Sequence, residues 1–354
     1  MPAQDFIIDI VSGCNMRCAS CARGNSPHIH NQPGIMGTDL MVRIVVKIKL
    51  EYNASQIHLY NWGESFLHPE LPEMVKISQS LGARCFLSSN LNISHNLEEV
   101  LAADPYCLRV TVSGFTQPVY GRNHVGGNID LVKDNLARLS SVIRNRKLHT
   151  QIHVYYLRFK YNLHEEKAMQ VYARKLGFGF HPVWALLIPV EKALAFADPN
   201  AGEPALSESD RQVINDLALP LEQTLQACRN YNIPCPLRNG QIVLDALGNV
   251  LLCCSVYDSS RFTIAPFLSS RPKDIWGLKE KHPFCSKCMQ HGIHVYETRG
   301  AQECDEIASR NIDPRFAQSF LFRWERFQKT VFYNVIPDRL RQHAYNLYAR
   351  MVKY

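Results

Sequence analysis

The sequence predicts an α/β fold, a parallel sheet wrapped by helices, and three observations carry that expectation. Over the first half of the 354-residue chain, β-branched and aromatic runs alternate with helix-like stretches, as strand–helix–strand crossovers do. The strand-like runs begin near Phe6, Gln56, Arg84, Leu108, Thr150 and Gly179, and six such units over about 180 residues fit a six-stranded partial barrel better than a doubly wound sheet. Three cysteines, Cys14, Cys18 and Cys21, follow directly on the first run, at the end of an α/β barrel where catalytic groups collect.

Taken in order, Phe6-Ile7-Ile8-Asp9-Ile10-Val11 reads as a buried first strand ending at Ser12-Gly13. Thr38 is placed to cap a helix over Asp39–Tyr52, Asn96 a short helix before Ala103, and Asn128 a helix running to about Arg144. The longest apolar run, Val183 to Val190, reads as a buried strand and its exit; a membrane span needs roughly 20 apolar residues. The pattern breaks after Leu187, and Asp198 to Pro204 is rich in Pro and Gly, as linkers are. A helix is expected from Ser207, interrupted at Pro220 and ending near Asn230. Cys235 then opens a cysteine-rich module containing a hairpin, Gln241–Leu244 and Val250–Cys253 with its turn at Gly248. The expected division is a barrel over 1–195, a linker and helix over 196–232, the cysteine module over 233–304 and a helical tail over 305–354.

With 46% hydrophobic and 20% charged residues the composition is that of a globular protein. Twelve cysteines behind a polar start with no secretory segment point to a reducing cytosol, hence a cytoplasmic protein, and to metal ligation in place of disulfides. From Arg315 onward eight Lys and Arg face two acidic residues, so six units of the net charge of +7 lie in the tail. The nearly neutral body excludes a broad nucleic-acid-binding face. The tail itself, with Phe320-Leu321-Phe322-Arg323-Trp324-Glu325-Arg326-Phe327 and the stretch Leu340 to Met351, reads as an aromatic, basic helix. Two uses fit it: packing on the barrel or a partner subunit, or peripheral contact with an anionic membrane.

The spacing C-x3-C-x2-C at Cys14, Cys18 and Cys21 offers three thiolates in one loop, enough for three irons of a 4Fe–4S cube. One iron would keep an open position, which on a redox metal reads as chemistry; a zinc knuckle is the plainer alternative. On these residues the sequence resembles the radical S-adenosyl-L-methionine (SAM) enzymes, from about residue 5 to 190 and again from about 235. The resemblance implies a partial (β/α)6 barrel. It also implies that the triplet's cluster binds SAM through the open iron and, on reduction, cleaves it to methionine and a 5′-deoxyadenosyl radical.

After the second strand stands Asn61-Trp62-Gly63-Glu64-Ser65-Phe66-Leu67-His68-Pro69. Gly63-Glu64 is similar to the family's Gly-Gly-Glu-Pro motif, which binds the SAM amino group, with Trp62 in place of the first glycine and Ser65 in place of the proline. Ser88 and Asn90 end the third strand and Ser113 the fourth, positions that in the family serve the ribose and the methionine carboxylate. Arg122 offers a fork to that carboxylate, or is an exposed surface arginine. Arg158 and Lys160, at the end of the fifth strand, are placed to face the substrate, with surface charge the alternative for Lys160.

Cys235, Cys253, Cys285 and Cys288 supply four more thiolates, a closed zinc site or a fully ligated cluster. Beside a radical SAM core the pattern resembles the twitch domain, a shortened SPASM domain holding one auxiliary 4Fe–4S cluster. His294 and Thr298 stand where a complete SPASM domain continues its cysteines. Cys254 can replace Cys253 or remain a free thiol, Cys304 can cap a cluster or start a solvated helix, and Cys85, Cys107 and Cys228 read as small core residues.

The expected function is a radical SAM oxidoreductase that dehydrogenates a sugar- or cyclitol-like small molecule, served by a reducing protein such as flavodoxin or ferredoxin. The alternatives are an epimerase using Cys254 or Cys304 as hydrogen donor, a peptide maturase, and a non-catalytic metal-binding scaffold.

Overall fold

Six parallel strands run in sequence order across the computed structural model, which describes residues 4–26, 34–52, 54–80, 82–93, 95–298, 303–319, 322–323 and 325–326. They are β1 (Gln4–Ile8), β2 (Ala54–His58), β3 (Arg84–Ser89), β4 (Cys107–Val112), β5 (Gln151–Arg158) and β6 (Gly179–Trp184), each parallel to the next. All six starts fall within two residues of the predicted ones.

Alternation along these strands sorts the two faces of the sheet. Phe6, Ile57, Leu87, Val110 and Val154 share one buried cluster with Ile44, Met74, Leu136 and Met169 from the crossover helices. Residues of the opposite parity are largely polar: His58, Ser88, Arg109, Tyr155 and His181. A doubly wound sheet is covered by helices on both faces and reverses its strand order. Here the order never reverses and the helices pack on one face, which makes the second face the lumen of a partial barrel. Rings fill it: the Arg109 guanidinium lies 4.0 Å over Tyr155, Tyr155 stacks on His181 with centroids 5.0 Å apart, and His58 on Phe86 at 4.7 Å.

The predicted hairpin is present as β7 (Gln241–Leu244) and β8 (Asn249–Leu251), followed by β9 (Thr263–Pro266). β7 pairs in parallel with β1, so the cysteine module extends the barrel's own sheet to nine strands. A second core, including Trp184, Leu187, Leu194, Leu221, Phe262, Phe284 and Tyr296, gathers the end of the barrel, the following helices and the module.

Helix starts were read with mixed success. Asn128 accepts from the N–H groups of Asp130 and Leu131, the cap the sequence predicts, and the helix expected from Ser207 begins there with a capping box between Ser207 and Asp210. Thr38 is not a cap: Gly37 holds that position and Thr38 lies in the first turn. Asn96 is an N-cap without a side-chain bond. A helix, Val190–Ala197, occupies part of the stretch expected to be irregular. Its Val190, Ala193 and Leu194 are buried in the second core, so packing organises a segment too short to show a clear period. Cys304 does start a helix, Cys304–Ser309, but a buried one: it is 5% exposed and its thiol meets that of Cys228.

Arg158 corrects a second expectation. It lies on the helix side of β5, 2% exposed, and does not face the lumen. Its guanidinium grips Glu166 at 2.7 and 2.8 Å and Glu325 at 2.8 and 3.2 Å, among the rings of Trp184, Phe316 and Phe322. Lys160 donates to the Asn215 carbonyl. The described part of the tail therefore docks on the barrel through Phe322 and Glu325. Phe320, Trp324, Phe327 and Leu340 to Met351 lie outside the described residues. Among the described residues no helix is long and apolar enough to cross a membrane.

Replacing Arg158 strands two carboxylates against an apolar wall. Arg158→Met is expected to lower stability by about 3 kcal/mol, and Glu325→Gln by much less, since Glu166 still satisfies the arginine. Urea denaturation of the two variants checks the order.

Candidate active site

The exit of β1 organises the site. Beyond Ile8 the chain is held by Met36 N–H to the Ile10 carbonyl (2.9 Å) and Ser12 N–H to the Gly34 carbonyl (2.9 Å). The cysteine loop then turns tightly, with Cys21 N–H on the Cys18 carbonyl at 3.1 Å. A second clamp comes from the segment after β4: Asn123 accepts from Ala19 N–H through its carbonyl (2.8 Å) and from Ser20 N–H through Oδ1 (3.1 Å), and Val125 accepts from Arg17 N–H (3.1 Å). Held this way, the thiols of Cys14, Cys18 and Cys21 are close enough to raise one another's pKa.

Gly63 and Glu64 meet this loop directly. A Cβ on Gly63 would stand 1.7 Å from the Val11 carbonyl oxygen, so only glycine fits. The Asp9 carboxylate accepts from the N–H groups of Trp62 and Gly63, both at 3.1 Å, and Glu64 N–H donates to the Gly13 carbonyl at 2.8 Å. The buried Glu64 carboxylate accepts from Phe66 N–H (3.2 Å) and Asn90 N–H (2.8 Å). Asn90 in turn points Nδ2 at Asn15 Oδ1 (2.9 Å) and at Cys14 Sγ (3.9 Å). Three strand exits thus converge on one thiol.

The other predicted positions are distributed less closely. Ser88 lies on the lumen face in register with Arg109. Ser113 is fully buried, its carbonyl accepting from Asn162 Nδ2 at 2.8 Å. Arg122 is ion-paired with Asp216 at 2.5 Å and lies 4.0 Å over the Tyr161 ring, the surface alternative. Two neighbours of the loop went unread in the sequence. His124, two residues beyond Arg122, sets Nδ1 3.5 Å from Cys18 Sγ and stacks on Tyr120. Asp9 was legible as the one carboxylate inside an apolar first strand.

Cys235, Cys253, Cys285 and Cys288 line one cavity together with Arg238, Ser255, His294 and Glu297. Cys254 is not in that lining; it packs with Ile7, Val243 and Leu251 beside the lumen. Trp62 links the two sites, its indole N–H donating to the Val256 carbonyl at 2.8 Å. Among the described residues no three His, Cys, Asp or Glu side chains are arranged for a single metal ion.

Both thiol sets fit a cationic iron–sulfur core better than they fit bare thiols. Burial raises Cys14 and, with Cys21 and Cys14 nearby, pushes Cys18 far up; burial takes Cys21 up to about 11. In the second set, burial takes Cys285 up to about 11 and raises Cys288 well above the usual thiol range, while the Cys254 thiol and burial raise Cys253. Such thiols ionise together only around positive charge. Burial also lifts the carboxyls of Asp9 to about 6 and of Glu64 and Glu191 to about 7.

No protein-family model matches the chain, and no curated protein matches it. Solved structures do. Native anSMEcpe with bound AdoMet aligns over 98% of this chain and 100% of its own at 14% identity and a TM-score of 0.54. Streptococcus suis SuiB bound to S-adenosylmethionine aligns over 84% of this chain and 70% of its own at 9% identity and a TM-score of 0.55. The same SuiB bound to precursor peptide SuiA gives 11% identity, 82% and 70% coverage and a TM-score of 0.54. The chain has the fold of the radical SAM enzymes.

Two outcomes follow from this geometry. Cys253→Ala is expected to remove about four irons from the reconstituted protein and Cys254→Ala none, read by iron analysis. In the metal-free protein three buried carboxyls add stability as pH falls from about 7 to about 4.5, while His58, His124 and His181, whose charged forms burial disfavours, take stability away over the same window. Asp9, Glu64 and Glu191 hold protons in the folded chain that the unfolded chain has already released, so their contribution is complete below the unfolded values and lost as pH rises through 6 to 7. Asp9→Asn with Glu64→Gln should therefore make urea midpoints fall more steeply than the parent's as pH drops over that window.

Proposed function

We propose that this chain is a radical SAM oxidoreductase. Cys14, Cys18 and Cys21 hold a 4Fe–4S cluster that binds SAM, and Cys235, Cys253, Cys285 and Cys288 hold an auxiliary one. The observation that carries this reading is the line from Glu64 through Asn90 to Cys14, which ties a buried carboxylate to an open three-thiol loop. Bound there, the first cluster and SAM supply a hydrogen-abstracting 5′-deoxyadenosyl radical, and the auxiliary cluster supplies an acceptor for the second electron of a two-electron oxidation.

The chain's own residues prepare that chemistry. Glu64 accepts a backbone N–H on each oxygen and also bonds the Ser89 side chain, which leaves acceptor capacity for the SAM ammonium group. Asn90 steadies Cys14 and His124 backs Cys18, while Ser88 and Ser113 are the candidates for the ribose and carboxylate side. Arg122 would reach the carboxylate only by releasing Asp216. The polar residues of the lumen face, Arg109, Tyr155 and His181 among them, accord with a hydroxylated small molecule as substrate, which would enter above the layer in which they pack on one another. Oxidation of its carbinol carbon removes a hydrogen atom, a proton and an electron. A peptide is the second reading, favoured by the likeness to peptide-bound SuiB and to anSMEcpe with bound AdoMet and Cp18Cys peptide, which aligns at 15% identity and a TM-score of 0.52. The division into a barrel over 1–195, a connecting segment, an auxiliary-cluster domain over 233–304 and a docking tail belongs to the same proposal.

Anaerobic reconstitution should give about eight irons per chain, and the Cys14→Ala, Cys18→Ala, Cys21→Ala protein should keep about half of them. That variant is expected to form no 5′-deoxyadenosine with dithionite; formation at the normal rate would remove the loop from the site. Mass spectrometry of products from polyols and from peptides separates the two substrate readings. SAM should bind more tightly as pH rises through about 7, because Glu64 must ionise to take the ammonium. Glu64→Gln should abolish that dependence and weaken binding by about 1.5–3 kcal/mol, measured by titration calorimetry.

A further inference from the structure

We propose that Lys279 raises the reduction potential of the cluster held by Cys235, Cys253, Cys285 and Cys288, acting as a fixed positive charge behind the thiols. The inference rests on the reading of that thiol set as an iron–sulfur site. Lys279 stands in the helix Pro272–Lys281 and is 0% exposed. Its Nζ donates to the Gln241 carbonyl at the start of β7 and lies 5.0 Å from the centre of the Trp276 indole. Among the described residues no ion pair joins it to a carboxylate. The Gln241 carbonyl it meets closes the helix Pro236–Gly240 that Cys235 caps, which places the ammonium behind the thiol set. A buried ammonium is retained in proteins when opposite charge compensates it; burial lowers the pKa of this one, and Cys253, Cys235, Cys254 and Cys285 oppose that shift once their sulfurs are thiolates.

The other charges at the site leave this role open. Arg238 acts on Cys285 from the half-buried rim, where water weakens it, while Glu297 and Glu191 act on Cys288 with the opposite sign. Reduction adds an electron to a core already surrounded by four thiolates. A positive charge in a low-dielectric wall stabilises that reduced state more than the oxidised one, and net charge is one of the quantities that set such potentials. The lysine thereby makes the auxiliary site a better acceptor of the electron leaving the substrate. The plainer role, a tie between the helix and β7, predicts no change in potential once the tie is preserved.

The test uses the full chain, reconstituted anaerobically, in a Cys14→Ala, Cys18→Ala, Cys21→Ala background so that only the second site reports. Lys279→Gln keeps a donor for the Gln241 carbonyl and removes the charge; Lys279→Met keeps the volume; Lys279→Arg keeps the charge. Potentiometric titration followed by electron paramagnetic resonance should show the reduced-to-oxidised ratio at the parent midpoint falling tenfold or more in the Gln and Met variants. That is a midpoint more negative by about 59 mV for one electron, at unchanged iron content, with Lys279→Arg close to the parent. An unmoved midpoint in Lys279→Gln with the irons retained overturns the proposal and leaves the lysine a tie. Should Lys279→Met fail to fold, Lys279→Gln decides alone. Zinc in place of iron in the parent, with no redox signal, overturns the reading beneath the proposal and the proposal with it.

Discussion

The contact on which the site depends is the approach of Gly63 to the Val11 carbonyl. Two neighbouring strand exits meet with no room for a side chain between them, and Asp9 fastens the meeting by accepting from the N–H groups of Trp62 and Gly63. Glu64 is consequently held over the cysteine loop by the backbone and not by its own flexible side chain. From the same turn Trp62 reaches the carbonyl of Val256, so one glycine aligns the first thiol set, the carboxylate and the module that carries the second set.

That alignment concentrates groups that resist ionisation. Buried thiols, together with Asp9, Glu64 and Glu191, all have raised pKa values because burial disfavours their charged forms. The metal-free chain therefore holds its thiols protonated, and positively charged cores are what would let them ionise, as the SAM ammonium group would do for Glu64. Binding and folding are coupled through the same groups, since whatever supplies that charge also relieves the desolvation.

Continuity of the sheet explains how two thiol sets far apart in sequence share one framework. β7 pairs with β1, which places the hairpin of the cysteine module against the strand that delivers Cys14, Cys18 and Cys21. On the opposite edge Arg158 fastens the tail to β5 and β6 through Glu325 and the rings of Trp184 and Phe322. The aromatic character of the tail is in this part explained by docking on the barrel, through Phe322 among the rings around Arg158.

The strand–helix alternation, the three-thiol loop, the Gly63-Glu64 turn and the four-thiol module were all legible in the chain, because each is a local pattern: a period, a spacing or a pair. The cap at Asn128 and the helix start at Ser207 were legible for the same reason, since a cap bonds within three residues of itself. Thr38 failed because the preceding Gly37 takes the extended geometry a cap needs, and the helix Val190–Ala197 was missed because its order comes from the second core. Which side a residue faces was decided only in three dimensions. Arg158 turned outward to Glu166, Arg122 to Asp216, and Cys254 away from the cavity that Cys253 lines, while Lys279 came to lie among thiols remote from it in sequence. By itself the sequence determined the two thiol sets and the strands that carry them; the partners of each charge were left to the tertiary structure, because they arrive from chain segments that no local spacing connects.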